Sequence, residues 1–221
     1  MRRIVDIAAA LAALALLFPL LAAIALAVAI DSPGNPFYRS GRAGRHGRPF
    51  RMWKFRTMIK GAAAGGSVTG RNDPRVTRLG RLLRKSKLDE LPQFINVLLG
   101  DMTLVGPRPE SPDIVELYTE EQRAVLAVKP GVTGKVQLAS GDEAESIPEG
   151  VRADEYYVKH LMSPKLELDL EYARNRTPWS DARILFDTAV FVLSCLFRVK
   201  GAEANRLAPA TDCSATVQPR R

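Results

Sequence analysis

From Ile7 to Ile30 the chain is almost wholly Ala, Leu, Ile, Val and Phe, and no later stretch is apolar for as long. A run of about two dozen such residues can cross a bilayer as a straight helix. Three readings fit it: a signal peptide, a spanning helix, and a helix that enters the bilayer and turns back. A signal peptide has a short apolar core and a small-residue cleavage site, whereas this run is long and ends in Asp31-Ser32-Pro33-Gly34-Asn35-Pro36. Positive residues favour the cytoplasmic side, and they lie at both ends: Arg2 and Arg3 before the run, then Arg39, Arg42, Arg45 and Arg48 after it. Pro19, near the middle, removes a ladder hydrogen bond and bends a helix. A re-entrant hairpin broken at Pro19, with both ends on the cytoplasmic face, satisfies both facts and is the expectation. Phe18 brings no hydroxyl to the carbonyls freed there.

Beyond the apolar run the pattern is mixed. Pro49 to Met58 alternates in part at period two and is rich in aromatics, so a strand is predicted. It would set Lys54 and Arg56 on one face against Trp53 and Phe55 on the other, a cationic side for an anion or simply a solvated face. Gly61 to Gly66 reads as a loop. From Asn72-Asp73-Pro74 to about Lys87, Val76, Leu79, Leu82 and Leu83 recur at helical spacing among Arg75, Arg78, Arg81, Arg84, Lys85 and Lys87. That is a basic amphipathic helix suited to a surface of anionic headgroups. Pro92 fits a first helical turn and discourages a helical Leu91, which predicts a short helix from about Pro92 to Leu99 stopped by Gly100.

A short strand leads next to the rigid Pro107-Arg108-Pro109 loop. A helix over Ser111 to Val128 follows, then a turn and strand from Lys129 through Leu138 and an acidic loop over Gly141 to Gly150. Helices are predicted over Arg152 to Leu161 and Ser163 to Asn175. Asp181 to Val199 is too interrupted by Asp187 to span, so it reads as a helix in the interface or packed on the domain. From about Lys200 the chain turns small and polar, and disorder is expected. The fold class is therefore mixed α/β and mainly helical. It comprises a re-entrant membrane helix over 1–33, a domain over 34–199 with amphipathic interfacial helices and a small β element, and a tail over 200–221.

Charge narrows the partners: a net charge of +8 and a pI near 9.8 call for nucleic acid, a phosphoryl substrate or acidic lipid. Cys195 and Cys213 are too few and too late for a disulfide framework. His46 and His160 are isolated, and no zinc spacing occurs.

Candidate chemistry concentrates at Ser86-Lys87-Leu88-Asp89-Glu90-Leu91-Pro92-Gln93, where two adjacent carboxylates follow a basic run and sit at the mouth of the 92–99 helix. The positive end of a helix keeps carboxylates ionised. One such oxygen can act as a nucleophile while the neighbouring group holds a divalent cation. Taken alone, such a pair is more often ordinary helix-start charge. Arg108, held between prolines, presents its planar fork to a phosphate or carboxylate at low entropic cost. Pairing with Glu110 or Asp101 would explain it equally well.

Taken in order, Lys54-Phe55-Arg56-Thr57-Met58, Asp73-Pro74-Arg75-Val76-Thr77-Arg78-Leu79-Gly80, Leu88-Asp89-Glu90-Leu91-Pro92-Gln93, the stretch from Gly100-Asp101-Met102 to Gly106-Pro107-Arg108-Pro109, and Lys129-Pro130-Gly131-Val132-Thr133-Gly134 resemble the bacterial sugar transferases, the monotopic phosphoglycosyl transferases. The resemblance covers about residues 1–199. It implies that a carboxylate at Asp89 attacks the β-phosphate of a UDP-sugar, releasing the nucleoside monophosphate and leaving a covalent phosphosugar. Polyprenol (undecaprenol) phosphate in the membrane lipid would then accept the sugar phosphate, starting a surface glycan. Glu90 would hold Mg²⁺, while Lys54, Arg84 and Arg108, with Pro107 and Pro109 framing the last, match basic positions of the donor site.

The implied location is the cytoplasmic face of a bacterial inner membrane, which also explains the double positive flank. One departure is that Phe18-Pro19 stands where the family commonly has Ser-Pro. The rival reading is a non-catalytic basic module, tethered by the N-terminal helix, that binds anionic lipid or nucleic acid; under the transferase reading nucleic acid is no partner. An interfacial helix near the C-terminus could pair two copies, leaving a homo-oligomer open.

Overall fold

The structure, a computed structural model, describes residues 2–62, 66, 68–140 and 143–206. Helix α1, Arg2–Asp31, is a single element with Pro19 inside it, so the hairpin expected there is not displayed. Its burial is uneven. Ala10 is fully buried, Ile24 and Val28 nearly so, and none of residues 11–20 is buried. Both ends are also tied to the domain by polar contacts. The Arg3 guanidinium donates to the carbonyls of Val97 and Leu98, and Asp6 accepts from Thr103 Oγ1 at 2.8 Å and the Leu104 amide at 3.2 Å. At the other end the Arg56 guanidinium donates to the Ser32 carbonyl.

Strands β1, Phe37–Ala43, and β2, Pro49–Phe55, form an antiparallel hairpin whose register runs from Phe37 opposite Phe55 to Ala43 opposite Pro49. β1 has no counterpart among the strands predicted from the sequence, because Arg39, Ser40, Gly41 and Arg42 carry little strand propensity. Pairing and aromatic packing hold it instead, with Phe37 stacked on Phe55 at 5.3 Å and edge-on to Trp53 at 5.9 Å. β2 stops at Phe55, short of the expected Met58, which meets only Val76 in an isolated bridge. Helix α2, Arg78–Lys85, begins later than predicted. Asp73 spends its carboxylate on the Arg75 amide at 2.9 Å and guanidinium at 2.6 Å, and Asn72 is left-handed with φ 56°. The helix therefore starts at the Thr77 cap, whose hydroxyl accepts from the Gly80 amide at 2.9 Å. Helix α3, Gln93–Leu99, lies within the predicted span, ended by left-handed Gly100 with φ 92°.

Strands β3, Thr103–Val105, and β4, Gly131–Thr133, pair in parallel. Between them the single helix expected over Ser111 to Val128 breaks into α4, Pro112–Glu116, and α5, Glu120–Arg123, because Thr119 and Gln122 close a capping box. Beyond Thr133 the strand expected through Leu138 is instead helix α6, Lys135–Ser140. The two helices predicted over 152–175 form one helical run: α7, Ala153–Tyr156, a π-turn over Tyr157–Leu161, and α8, Met162–Asn175. Helix α9, Pro178–Arg206, runs past Lys200, so the tail expected from there is helical to Arg206, and its remainder lies outside the described residues. Trp179, Phe186, Val190 and Leu193 of α9 are exposed.

One core cluster joins Ala10 of α1 to Met52, Val97, Met102, Leu104, Val105, Tyr172 and Ile184; a second joins Ile24 and Val28 to Phe55 and Leu83. Through them β2, α2 and α3 are packed into one body beside α1. The approach of α2 to the end of β2 needs a glycine, since a Cβ on Gly80 would lie 2.1 Å from the Thr57 carbonyl oxygen. Gly80→Ala is therefore expected to destabilise the protein by about 1–3 kcal/mol through overpacking, although alanine is the better helix former. A melting midpoint in detergent equal to or above that of the parent would contradict this packing.

Candidate active site

Ser86 ends α2 by turning its hydroxyl back onto the carbonyls of Leu82 at 2.9 Å and Leu83 at 3.1 Å. Lys87 then takes a left-handed conformation, φ 59°, and a single turn, Leu88–Glu90, leads into α3. The reversal carries Asp89 inward until it is only 6% exposed. Glu90 is held from two sides: Lys54 Nζ lies 3.0 Å from Oε1, while Arg108 Nη2 lies 2.9 Å from Oε1 and Nη1 3.4 Å from Oε2. Arg108 thus pairs with Glu90, and neither Glu110 nor Asp101 takes it.

Electrostatics follow from this arrangement. Burial raises the Glu90 carboxyl, but Arg108 and Lys54 outweigh it and hold Glu90 well below the usual carboxylate range. Burial lowers Lys54 against the pull of Glu90. For Asp89, burial and the neighbouring Glu90 charge push the carboxyl up to about 6, opposed by Lys54, Arg84 and Lys87. No hydrogen bond to the Asp89 carboxylate forms among the described residues. A carboxylate oxygen of low exposure that accepts no hydrogen bond is more reactive toward an electrophile than a fully solvated one, and the three cations acting on it favour an approaching anion.

Of the residues expected at the site, Lys54, Asp89, Glu90 and Arg108 come together. Arg84 stands beside them: its Nε donates to Thr57 Oγ1 at 2.9 Å, and its charge favours ionised Asp89. Arg56, expected on the cationic face with Lys54, is instead spent on the end of α1. Pro19 is exposed on α1, apart from this cluster.

Pro107 and Pro109 have no N–H, so the Arg108 amide is the only backbone donor of that segment, and it points to Asp169 Oδ2 at 3.3 Å. Asp169 is only 5% exposed, Oδ1 has no partner among the described residues, and burial pushes the group up to about 7. Glu110, next along, is held by the Tyr157 hydroxyl, by Arg42 at 3.7 Å and by Lys165 at 3.7 Å. Sequence reading gave Asp169 and Glu110 no such supporting part. For Asp169 a signal existed: Met162, Leu166, Asp169 and Tyr172 make one buried stripe of α8, so a carboxylate occupies an apolar position.

Magnesium takes six oxygens and commonly draws only one or two from protein carboxylates, the rest from water and phosphate. Here Glu90 Oε1 is shared by two cations, Oε2 meets Arg108 only at 3.4 Å, and Asp89 is adjacent. Among the described residues no group of three or more metal-binding side chains occurs. The donor set therefore fits a cation shared with a diphosphate.

Residues 1–195 match the family model described as bacterial sugar transferase. The chain belongs to the bacterial sugar transferase family. It is 41% identical over 193 residues to the UDP-glucose:undecaprenyl-phosphate glucose-1-phosphate transferase of Escherichia coli (strain K12), covering 85% of this chain and 39% of that protein. To the UDP-N-acetylgalactosamine-undecaprenyl-phosphate N-acetylgalactosaminephosphotransferase of Aeromonas hydrophila it is 36% identical over 197 residues, 87% of this chain and 44% of the relative. A Caulobacter vibrioides protein named UDP-glucose:undecaprenyl-phosphate glucose-1-phosphate transferase is 36% identical over 197 residues, 87% of this chain and 70% of its own length. The chain thus spans less than half the length of the first two of these relatives. As in a membrane-associated family, its α1 is long and apolar enough to enter or cross a bilayer.

Asp169 supplies a pH test of this transferase-family site. Its folded-state value, about 7, lies above the ordinary 3.8. The folded protein therefore holds a proton that the unfolded chain releases, and stability falls as pH rises through that window. Asp169→Asn keeps the acceptor for the Arg108 amide and removes the titration. Its melting midpoint relative to the parent is expected to rise between about pH 5 and pH 8; a pH-independent difference would contradict the buried-acid assignment.

Proposed function

We propose that this chain is a catalytic core that moves a sugar 1-phosphate from a UDP-sugar to undecaprenyl phosphate, through a phosphosugar held covalently on Asp89. The observation that carries the reading is a buried Asp89, with no hydrogen bond to its carboxylate among the described residues, beside a Glu90 paired with Lys54 and Arg108. An Asp89 oxygen forms a bond to the β-phosphorus, and the bond from that phosphorus to the bridging oxygen breaks. UMP leaves with the electron pair. An oxygen of the lipid phosphate then bonds to the same phosphorus and displaces Asp89, which recovers its lone pair as a free carboxylate. Lys54 and Arg108 face the charge that gathers on the transferred phosphoryl group, and Asp169 keeps the backbone under Arg108 in place. Bound Mg²⁺ would neutralise the diphosphate, with Glu90 as its carboxylate ligand.

The donor is soluble and the acceptor lipid-borne, so the site belongs at a membrane face. A re-entrant α1 is supported by its tied ends, by the burial of Ala10, Ile24 and Val28 on either side of the break, and by the absence of any buried residue over 11–20. With positive charge at both flanks, the proposed location is the cytoplasmic face of a bacterial inner membrane. The exposed apolar side chains of α9 suit the same interface. A basic module for polyanions finds less support, because the Asp89 and Glu90 carboxylates sit among these cations and would repel a polyanion.

Detergent-purified protein given UDP-sugars, Mg²⁺ and undecaprenyl phosphate should release UMP and move sugar label into lipid. Asp89→Asn is expected to lower both by on the order of a thousandfold, whereas Glu90→Gln should mainly weaken Mg²⁺-dependent turnover; full activity in Asp89→Asn overturns the nucleophile. For topology, Ile4→Cys and Gly41→Cys, each in a chain with Cys195 and Cys213 replaced by serine, should both escape a membrane-impermeant reagent in intact cells. Labelling of one alone means a spanning helix.

A further inference from the structure

Lys54 and Glu90 reach each other from different elements, β2 and the turn before α3, and the apolar contacts between those elements fix no register by themselves. One side chain joins them directionally. Asn96 of α3 is fully buried; its Oδ1 accepts from the Trp53 amide at 2.8 Å, and its Nδ2 donates to the Arg51 carbonyl at 2.8 Å and to Asp101 Oδ2 at 3.1 Å. The orientation of the amide is set by its partners, since a backbone N–H only donates and a carbonyl only accepts.

Residues two apart on a strand direct their backbone groups to the same edge. β1 pairs with one edge of β2, and the groups of Arg51 and Trp53 that meet Asn96 lie on the other. The carboxamide has the shape and polarity of a peptide unit, so it stands where a third strand would offer one. Its own backbone is equally fixed, the Asn96 carbonyl accepting from the amides of Gly100, Asp101 and Met102 at 3.0, 3.0 and 3.3 Å.

We propose that Asn96 is a positioning residue: by fastening the free edge of β2 to α3 it sets the Lys54 ammonium against the Glu90 carboxylate. Trp53 is the peptide neighbour of Lys54, and Glu90 precedes α3 by a single turn, so the hydrogen bonds of the Asn96 amide join the two short stretches of chain that carry the charges. The activity readout rests on the transferase reading; the local readout does not.

The local readout is amide hydrogen exchange over residues 51–55 in full-length protein in detergent. Asn96→Ala should speed exchange at Trp53 by tenfold or more, on the order expected for losing the bond that protects it. Asn96→Leu keeps the volume and removes the same hydrogen bonds, so it should speed exchange likewise and serves if the alanine variant folds poorly. Unchanged exchange at Trp53 in either folded variant overturns the proposal, whatever the enzyme does.

In turnover, Asn96→Ala should cost up to about a hundredfold, as a misplacement near 1 Å does. In a Lys54→Met background the same change should cost no more than about threefold, because the geometry it protects is already gone. Equal losses in both backgrounds mean a general structural role and overturn the positioning assignment. If Trp53 exchange responds while even the parent protein transfers no sugar phosphate, the transferase reading fails and the Asn96 clamp stands.

Discussion

An ionised carboxylate cannot stay inside a protein without compensation, and the architecture around residues 86–110 answers that constraint. Glu90 is kept charged at low exposure because two cations from separate parts of the chain reach the same oxygen, Lys54 at 3.0 Å and Arg108 at 2.9 Å. Each arrives on its own support. Lys54 comes from β2, whose free edge is fastened by Asn96; Arg108 comes from a proline-framed loop whose one amide is taken by Asp169. Beside the paired Glu90, Asp89 sits at low exposure and accepts no hydrogen bond among the described residues. The reactivity assigned to Asp89 is thus a consequence of how Glu90 is held.

The same body suits the boundary between water and lipid at which the site is proposed to work. α1 leaves its middle ten residues unburied, yet its first turns dock on α3 and β3 and its last turns on β2 and α2. Arg3 meets the final carbonyls of α3, a favourable place for a cation at the negative end of a helix, and α3 is the helix into which the Asp89–Glu90 turn leads. The apolar element is therefore joined mechanically to the scaffold of the site. In the proposed reaction a lipid-borne acceptor and a soluble donor would meet at a site held at a fixed depth, and these contacts would supply that fixation.

Local chemistry made part of this legible in the sequence. Pro92 and Gly100 bracket α3, and the apolar run of α1 needs no partner to be read. What failed did so where a single side chain overrode a longer pattern: Asp73 bonding Arg75 delayed α2, and the Thr119–Gln122 box broke the helix expected over 111–128. β1 escaped because its strand character comes from pairing with β2 and not from its own residues. At the site, the motifs and family resemblance pointed to Lys54, Asp89, Glu90 and Arg108, while the residues alone left each with an ordinary explanation. Asn96 and Asp169 act across 43 and 61 residues of sequence, a separation no local pattern encodes.

The central claim is that Asp89 carries the phosphosugar between two half-reactions. The most direct measurement omits the lipid acceptor: labelled UMP is added with an unlabelled UDP-sugar and Mg²⁺, and the return of label into the UDP-sugar is followed. A covalent intermediate makes the first half-reaction reversible, so label should appear in the UDP-sugar with no lipid phosphate present, and Asp89→Asn should abolish it. Exchange that occurs only when lipid phosphate is present would mean direct transfer between the two substrates and would contradict the account.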